Sequence, residues 1–196
     1  MARSAHRPAA VALAGFAIAL TGPAVGDGAT PVSVPPLSAS TQVGGRAGLV
    51  LTPRGIGHLR IGMTLPGARR ASGRSIRLSG AEITPGCRYA SVRSLRVFLM
   101  LLDGRIARIE IAPNSPVSVL GGVRRGATED DVRAAFGPKV VETPHTYVPG
   151  GSYLTVGWRN GPYTNRGIRF ETNERGTVTA IYAGRRNAIR FVEGCL

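Results

Sequence analysis

The sequence predicts an α+β fold: two tandem repeats of a short helix plus an antiparallel β-meander, with the helices packed on one sheet face. Three observations predict it. Gly57-His58-Leu59-Arg60-Ile61-Gly62-Met63-Thr64 returns 64 residues later as Gly121-Gly122-Val123-Arg124-Arg125-Gly126-Ala127-Thr128, and over 57–73 and 121–137 seven of 17 aligned positions are identical without a gap. Each copy runs from a threonine through a short helical stretch to a glycine, Gly73 or Gly137. After each come runs of alternating apolar and polar residues separated by turn residues, the pattern of half-buried strands.

From the N-terminus, the first 26 residues read as a secretory signal. Arg3 and Arg7 give the charged start, Ala9 to Leu20 is an uncharged run of 12 residues, and Ala24-Val25-Gly26 supplies small residues for cleavage after Gly26. The run is too short to span a bilayer, and no later stretch is long and apolar enough to do so. Residues 27–53 are rich in Pro, Ser, Thr, Val and Gly, with Pro31, Pro35, Pro36 and Pro53 and no amphipathic period. They read as a flexible linker. The folded domain is expected over 54–196, with repeat 1 at about 55–112 and repeat 2 at about 119–192.

In repeat 1, Thr64 caps a helix over about Leu65 to Ser72, weakened by Gly67 inside it. Leu95 to Leu102 and Arg105 to Ala112 flank Asp103-Gly104, a strong hairpin signal. In repeat 2, Thr128 with Asp131 approximates a capping box, and Glu129, Asp130 and Asp131 favour the helix dipole. Capping accounts for these three acids without a metal. Val132, Ala135 and Phe136 make the apolar face, and Gly137-Pro138 ends the helix. Ser152 to Arg159 alternates with Leu154, Val156 and Trp158 on one face; Ile168 and Phe170 alternate with Arg169 and Glu171. Asn173 to Gly176 is the turn into a return strand whose Val178, Ala180 and Tyr182 face one way, and Ala188 to Val192 reads as a last short strand.

Cys87 and Cys195 are the chain's two cysteines. In an exported protein they are most simply a disulfide, the alternatives being two buried thiols or one reactive thiol. Such a loop would stabilise by about 4–5 kcal/mol in the chain-entropy model. Two cysteines and scattered histidines do not make a metal site, and no metal or other cofactor is expected.

The paired Gly-x-x-Arg-x-Gly-x-Thr leads, each opening a short helix ended by Gly, resemble the tandem-repeat domains of the β-lactamase inhibitory protein and the related small outer-membrane assembly lipoproteins. Gly62-Met63-Thr64 through Gly73 carries their helix pattern, and Gly126-Ala127-Thr128 through Gly137 carries it with Ala for Met. The resemblance implies the same repeat architecture over about 55–195. No lipidation cysteine is present, and inhibition of β-lactamase does not transfer. Pro144-His145-Thr146-Tyr147, the run Arg166 to Thr172 and the ending Val192-Glu193-Gly194-Cys195 resemble exported bacterial proteins, some labelled lectins. That similarity implies a lectin-like role and no mechanism.

For chemistry, the chain lacks His-Glu-x-x-His, Gly-x-Ser-x-Gly and phosphate-loop motifs. Gly55-Ile56-Gly57 opens a Gly-x-Gly with Arg60 in place of the third glycine, so no dinucleotide site is expected. No catalytic residue is assigned. Asp103, Glu110, Glu142 and Glu171 are available as paired carboxylates for a small hydrolase, but nothing singles out two of them. The richest segment is His145 to Tyr182, where Tyr147, Tyr153, Trp158, Tyr163 and Tyr182 stand among Arg159, Arg166 and Arg169. Aromatic faces beside Arg and His suit carbohydrate stacking or protein hot spots. Core packing in the second meander is the competing reading for Trp158 and Tyr182, and Trp158, which shares its face with Leu154 and Val156, reads as core. The binding set expected is therefore His145, Tyr147, Tyr153, Arg159 and Arg169.

Charge bounds the partners. Lys and Arg total 25 against 11 acids, +14, and removal of the signal with Arg3 and Arg7 leaves +12. All but Lys139 of the cations are arginine, spread from 46 to 190 outside the signal, which weakens a nucleic-acid reading. The expectation is a monomeric periplasmic or secreted binding module, not an enzyme, that meets an unknown protein or an anionic envelope or glycan partner.

Overall fold

The computed structural model describes residues 49–158 and 160–195, apart from the side chain of residue 83. The signal and nearly all of the linker lie outside the described residues. The fold is mostly β. The strands are β1 (Val50–Thr52), β2 (Gly55–Ile56), β3 (Leu59–Arg60), β4 (Arg77–Thr84), β5 (Cys87–Val92), β6 (Val97–Leu102), β7 (Arg105–Ile111), β8 (Ser118–Val119), β9 (Val140–Pro144), β10 (Ser152–Trp158), β11 (Arg166–Thr172) and β12 (Val178–Arg185). Helix α1 (Leu65–Ser72) follows β3, and α2 (Glu129–Phe136) follows β8. Eight strands form one antiparallel sheet in the order β4-β5-β6-β7-β12-β11-β10-β9, and four short ones form a second in the order β3-β2-β1-β8.

This corrects the expected α+β class with helices packed on one sheet face. Each helix has only eight residues; α1 buries Leu65 and Ala68, and α2 buries Val132 alone. Two turns cannot form a covering layer. Leu51, Ile56 and Leu59 of the small sheet and Ile61, Ile76, Leu95, Val117 and Val123 from connecting segments join the same buried cluster as the inner face of the large sheet. Strands β4, β5 and β9 escaped the sequence reading because charges, Gly80 and Pro85-Gly86 break their alternation. The expected last strand at Ala188 to Val192 is instead a 3₁₀ turn at Ala188–Arg190, and β1 begins inside the expected linker.

The sequence still sets the local structure. Thr64 accepts from the Gly67 amide, and Thr128 and Asp131 form a reciprocal capping box. Asp103-Gly104 turns β6 into β7 with Leu102 opposite Arg105. The two halves are built alike. The Gly62 amide donates to the Ile106 carbonyl and the Ile106 amide to Met63; the Gly126 amide donates to Val178 and the Val178 amide to Ala127. Each helix lead is thus tied to the last strand of its own half. The halves meet in the large sheet where β7 pairs with β12, through Arg108–Gly184, Ile109–Ala183 and Glu110–Tyr182.

Register sorts the side chains onto two faces. Ala90, Leu99, Ile109, Ala183, Ile168 and Val156 line up across six strands on the inner face, all buried. The outer face carries Ser91, Phe98, Glu110, Tyr182, Arg169 and Thr155 in the next row.

Candidate functional site

On the outer face, Arg108 lies opposite Gly184, which lies opposite Gly167, which lies opposite Gly157. This row of glycines is a slot. A Cβ on Gly167 would stand 2.7 Å from the Ile189 side chain, and one on Gly184 2.2 Å from the Ala107 carbonyl oxygen. Ile189 of the 3₁₀ turn is fully buried, set down on backbone. From that turn residues 191–195 form a strap to the disulfide at Cys87, whose Cα atom lies 5.3 Å from that of Cys195.

Arg108 anchors the strap. It is 4% exposed, and its Nη1 donates to the carbonyls of Ala188 (3.1 Å) and Phe191 (2.8 Å). Its Nε donates to Glu110 Oε1 at 2.8 Å and its Nη2 to the Tyr89 hydroxyl at 2.9 Å. The guanidinium sits 4.5 Å from the centroid of the Tyr182 ring. Burial is the largest influence on this group and pulls its pKa down; Glu110 and the tyrosines outweigh it, so the guanidinium is held above its ordinary value. Burial first, then the Glu171 carboxylate, pushes the Tyr182 phenol well above its usual range. Burial and Glu110 push Tyr89 in the same direction.

A second stack lies beside the first. Arg169, 6% exposed, places its guanidinium 4.6 Å from the centroid of Tyr153 and donates from Nε to Thr155 Oγ1 at 3.0 Å. His145 stacks on the same tyrosine, its ring centroid 4.4 Å from that of Tyr153. Its Nδ1 accepts from the amides of Tyr147 (3.1 Å) and Val148 (3.2 Å), so the proton of the neutral ring sits on Nε2, 3.7 Å from Glu171 Oε2. Tyr182 donates to Glu171, and Tyr147 to Glu193 of the strap. Tyr147 is 59% exposed, and its hydrogen bond to Glu193 raises its pKa.

A cleft of about 490 Å³ opens over the first stack, lined by Tyr89, Arg108, Glu110, Tyr147, Glu171, Tyr182 and Glu193 among others, with exposed Phe98 and Val192 at its rim; His145, Tyr153 and Arg169 lie beside it and do not line it. Of the residues expected to bind, His145, Tyr147, Tyr153 and Arg169 come together on this face; Arg159 lies outside the described residues. Tyr182 is buried on the outer face, whereas Val178, expected to share its side, joins the main core because the register shifts between Glu171 and Thr172. Trp158 packs partly buried against the core beside Phe136.

The sequence reading missed Arg108, Tyr89 and Glu193 and gave Glu110 and Glu171 no particular role. The alternation Arg-Ile-Ala-Arg-Ile-Glu-Ile in β7 was a signal for the first, since Arg108 and Glu110 flank inward Ile109. Pairing across the β7–β12 seam was not readable. The four acids considered for hydrolysis part company: Glu110 and Glu171 reach the cleft, Glu142 pairs with Arg133 at 2.7 Å, and Asp103 sits at a hairpin turn. Among the described residues no group of His, Cys, Asp and Glu suits a metal, and no helix is long and apolar enough to cross a membrane. No family model, curated protein or solved structure matches the chain.

Proposed function

We propose that the protein is a periplasmic or secreted binding module, without catalytic activity, that engages a protein or envelope partner through the outer face of its large sheet. The observation that carries this reading is the cleft itself. Its floor is held in place before any partner arrives, because Arg108 and Tyr182 are buried and tied to their neighbours, while Phe98, Tyr147 and Val192 expose apolar surface at its edge. A fixed floor with an exposed aromatic rim is the arrangement of a binding hot spot. The carboxylates of Glu110, Glu171 and Glu193 each already accept from an arginine or a tyrosine, which suits positioning better than proton transfer. The N-terminal signal pattern and the disulfide support export.

Crosslinked pull-down from envelope and culture-fluid fractions tests the reading, run in parallel with Phe98→Ser and Tyr147→Ser. The expected result is a component retained by the native protein and lost from both variants. Equal retention by the variants overturns the outer-face assignment. A second reading, carbohydrate binding, is favoured by the exposed Tyr147 ring beside Glu193. Glycan-array binding that Tyr147→Ser abolishes would establish it; an array with no bound glycan removes it.

A further inference from the structure

On the other side of the strap lies a second cleft, of about 670 Å³, between residues 191–195 and the turns after β4 and β6. Its charged lining side chains are Asp103 and Glu193, and no lysine or arginine lines it. In a chain with 25 cations and 11 acids, that local balance is inverted. Arg105, two residues from Asp103, is turned away and donates to the Gly62 carbonyl at 3.1 Å. Tyr147, Phe191 and Val192 also line this cleft, and all three are exposed.

The same outer face already shows how this protein holds a guanidinium. Arg108 stacks on Tyr182 while that phenol donates to Glu171, and Arg169 stacks on Tyr153. Tyr147 and Glu193 repeat the tyrosine–glutamate pair, yet among the described residues no guanidinium lies over the Tyr147 ring. We propose that this cleft docks an arginine side chain of a partner protein, stacked on Tyr147 and paired with Glu193, with an apolar neighbour of that arginine covering Phe191 and Val192. The inference rests on the reading of the protein as a binding module and names the chemistry of its partner. Arginine suits the site better than lysine, because a planar fork can stack on the ring and meet a carboxylate at once. An anionic partner is disfavoured by both acids.

The test is an NMR titration of the purified protein with N-acetyl-arginine amide, and separately with N-acetyl-lysine amide. The expected result is a saturable shift of the resonances of Tyr147 and Glu193, at least several-fold weaker with the lysine probe. Tyr147→Leu and Glu193→Gln, both at exposed positions and checked for an unchanged thermal midpoint, are each expected to weaken the arginine response at least five-fold. No saturation, an equal response to lysine, or an unaltered response in either variant overturns the proposal. A concentration-dependent dimer that Glu193→Gln abolishes also overturns it, by making a second copy of this chain the occupant. The titration needs no pull-down partner. Its failure beside a successful pull-down therefore removes the arginine site alone; because Tyr147 lines both clefts and Phe98 only the first, a successful titration beside a component that Phe98→Ser still retains removes the first cleft alone.

Discussion

The two faces of the eight-stranded sheet are held by different physics. The inner face is aliphatic, from Ala90 through Leu99, Ile109, Ala183 and Ile168 to Val156, and its stability comes from area removed from water. The outer face buries charge: Arg108 and Arg169 are as hidden as many core residues, Arg108 with all three nitrogens donating, Arg169 with its Nε on Thr155, and both with their planes stacked on tyrosine. An apolar face tolerates loss in proportion to volume. A satisfied polar face has a threshold, since removing one partner strands the other.

The contrast is testable, beginning with the largest effect. Replacing both cysteines by serine is expected to lower stability by about 4–5 kcal/mol, from the 108-residue separation they close. In that variant, hydrogen exchange should quicken along residues 191–195 and the outer side of β5, while the β10–β11 amides stay protected. Uniform loss of protection would mean that the strap is part of the core. Next, Phe170→Ala on the inner face and Glu110→Ala on the outer should each cost about 3–5 kcal/mol by denaturant titration, the first through a cavity and the second through a stranded Arg108. The double variant Arg108→Met with Glu110→Met should cost less than Glu110→Ala alone. If it costs more, the outer face is held by the ion pair itself and the contrast fails.

Smaller effects probe the border of the inner face. Thr128→Ala removes a cap and should cost about 1 kcal/mol. Glu142 stands on the inner row at the sheet edge, where the Arg133 guanidinium, together with the Ser152 hydroxyl, holds its carboxyl below the usual range. A folded-state value below the unfolded one contributes stability that is present above the unfolded carboxylate range and is lost as pH falls through the folded value. Stability of the native protein should therefore fall more steeply than that of Glu142→Gln as pH drops below the ordinary glutamate range of about 4.3. Equal slopes would show that this pair adds nothing.

What could be read from the sequence was local. Thr128 with Asp131, the Asp103-Gly104 hairpin, the inward side of β10 and the cysteine pair each depend on residues close in sequence or on simple counting. The fold class was misjudged because β4 and β5 carry arginines, Gly80 and an irregular register between Ser79 and Thr84, none of which looks like a strand. Half of the outer-face site was legible for a similar reason. Tyr153 and Arg169 fall on the side opposite Leu154 and Phe170 by parity alone. Arg108 gains its meaning only from β12 beside it and the strap above it, contacts about 80 residues away in sequence.

The seam between the halves has one further consequence. In the large sheet the halves are joined by three residue pairs of β7 and β12, a short zipper for so wide a sheet. The strap runs across the same junction, from the 3₁₀ turn after β12 to Cys87 in β5. If the zipper opens, the two halves remain on one covalent ring and face each other at a local concentration of roughly millimolar. Opening there becomes a brief breathing motion rather than a separation. The closed ring thus gives the two halves their own means of re-closing.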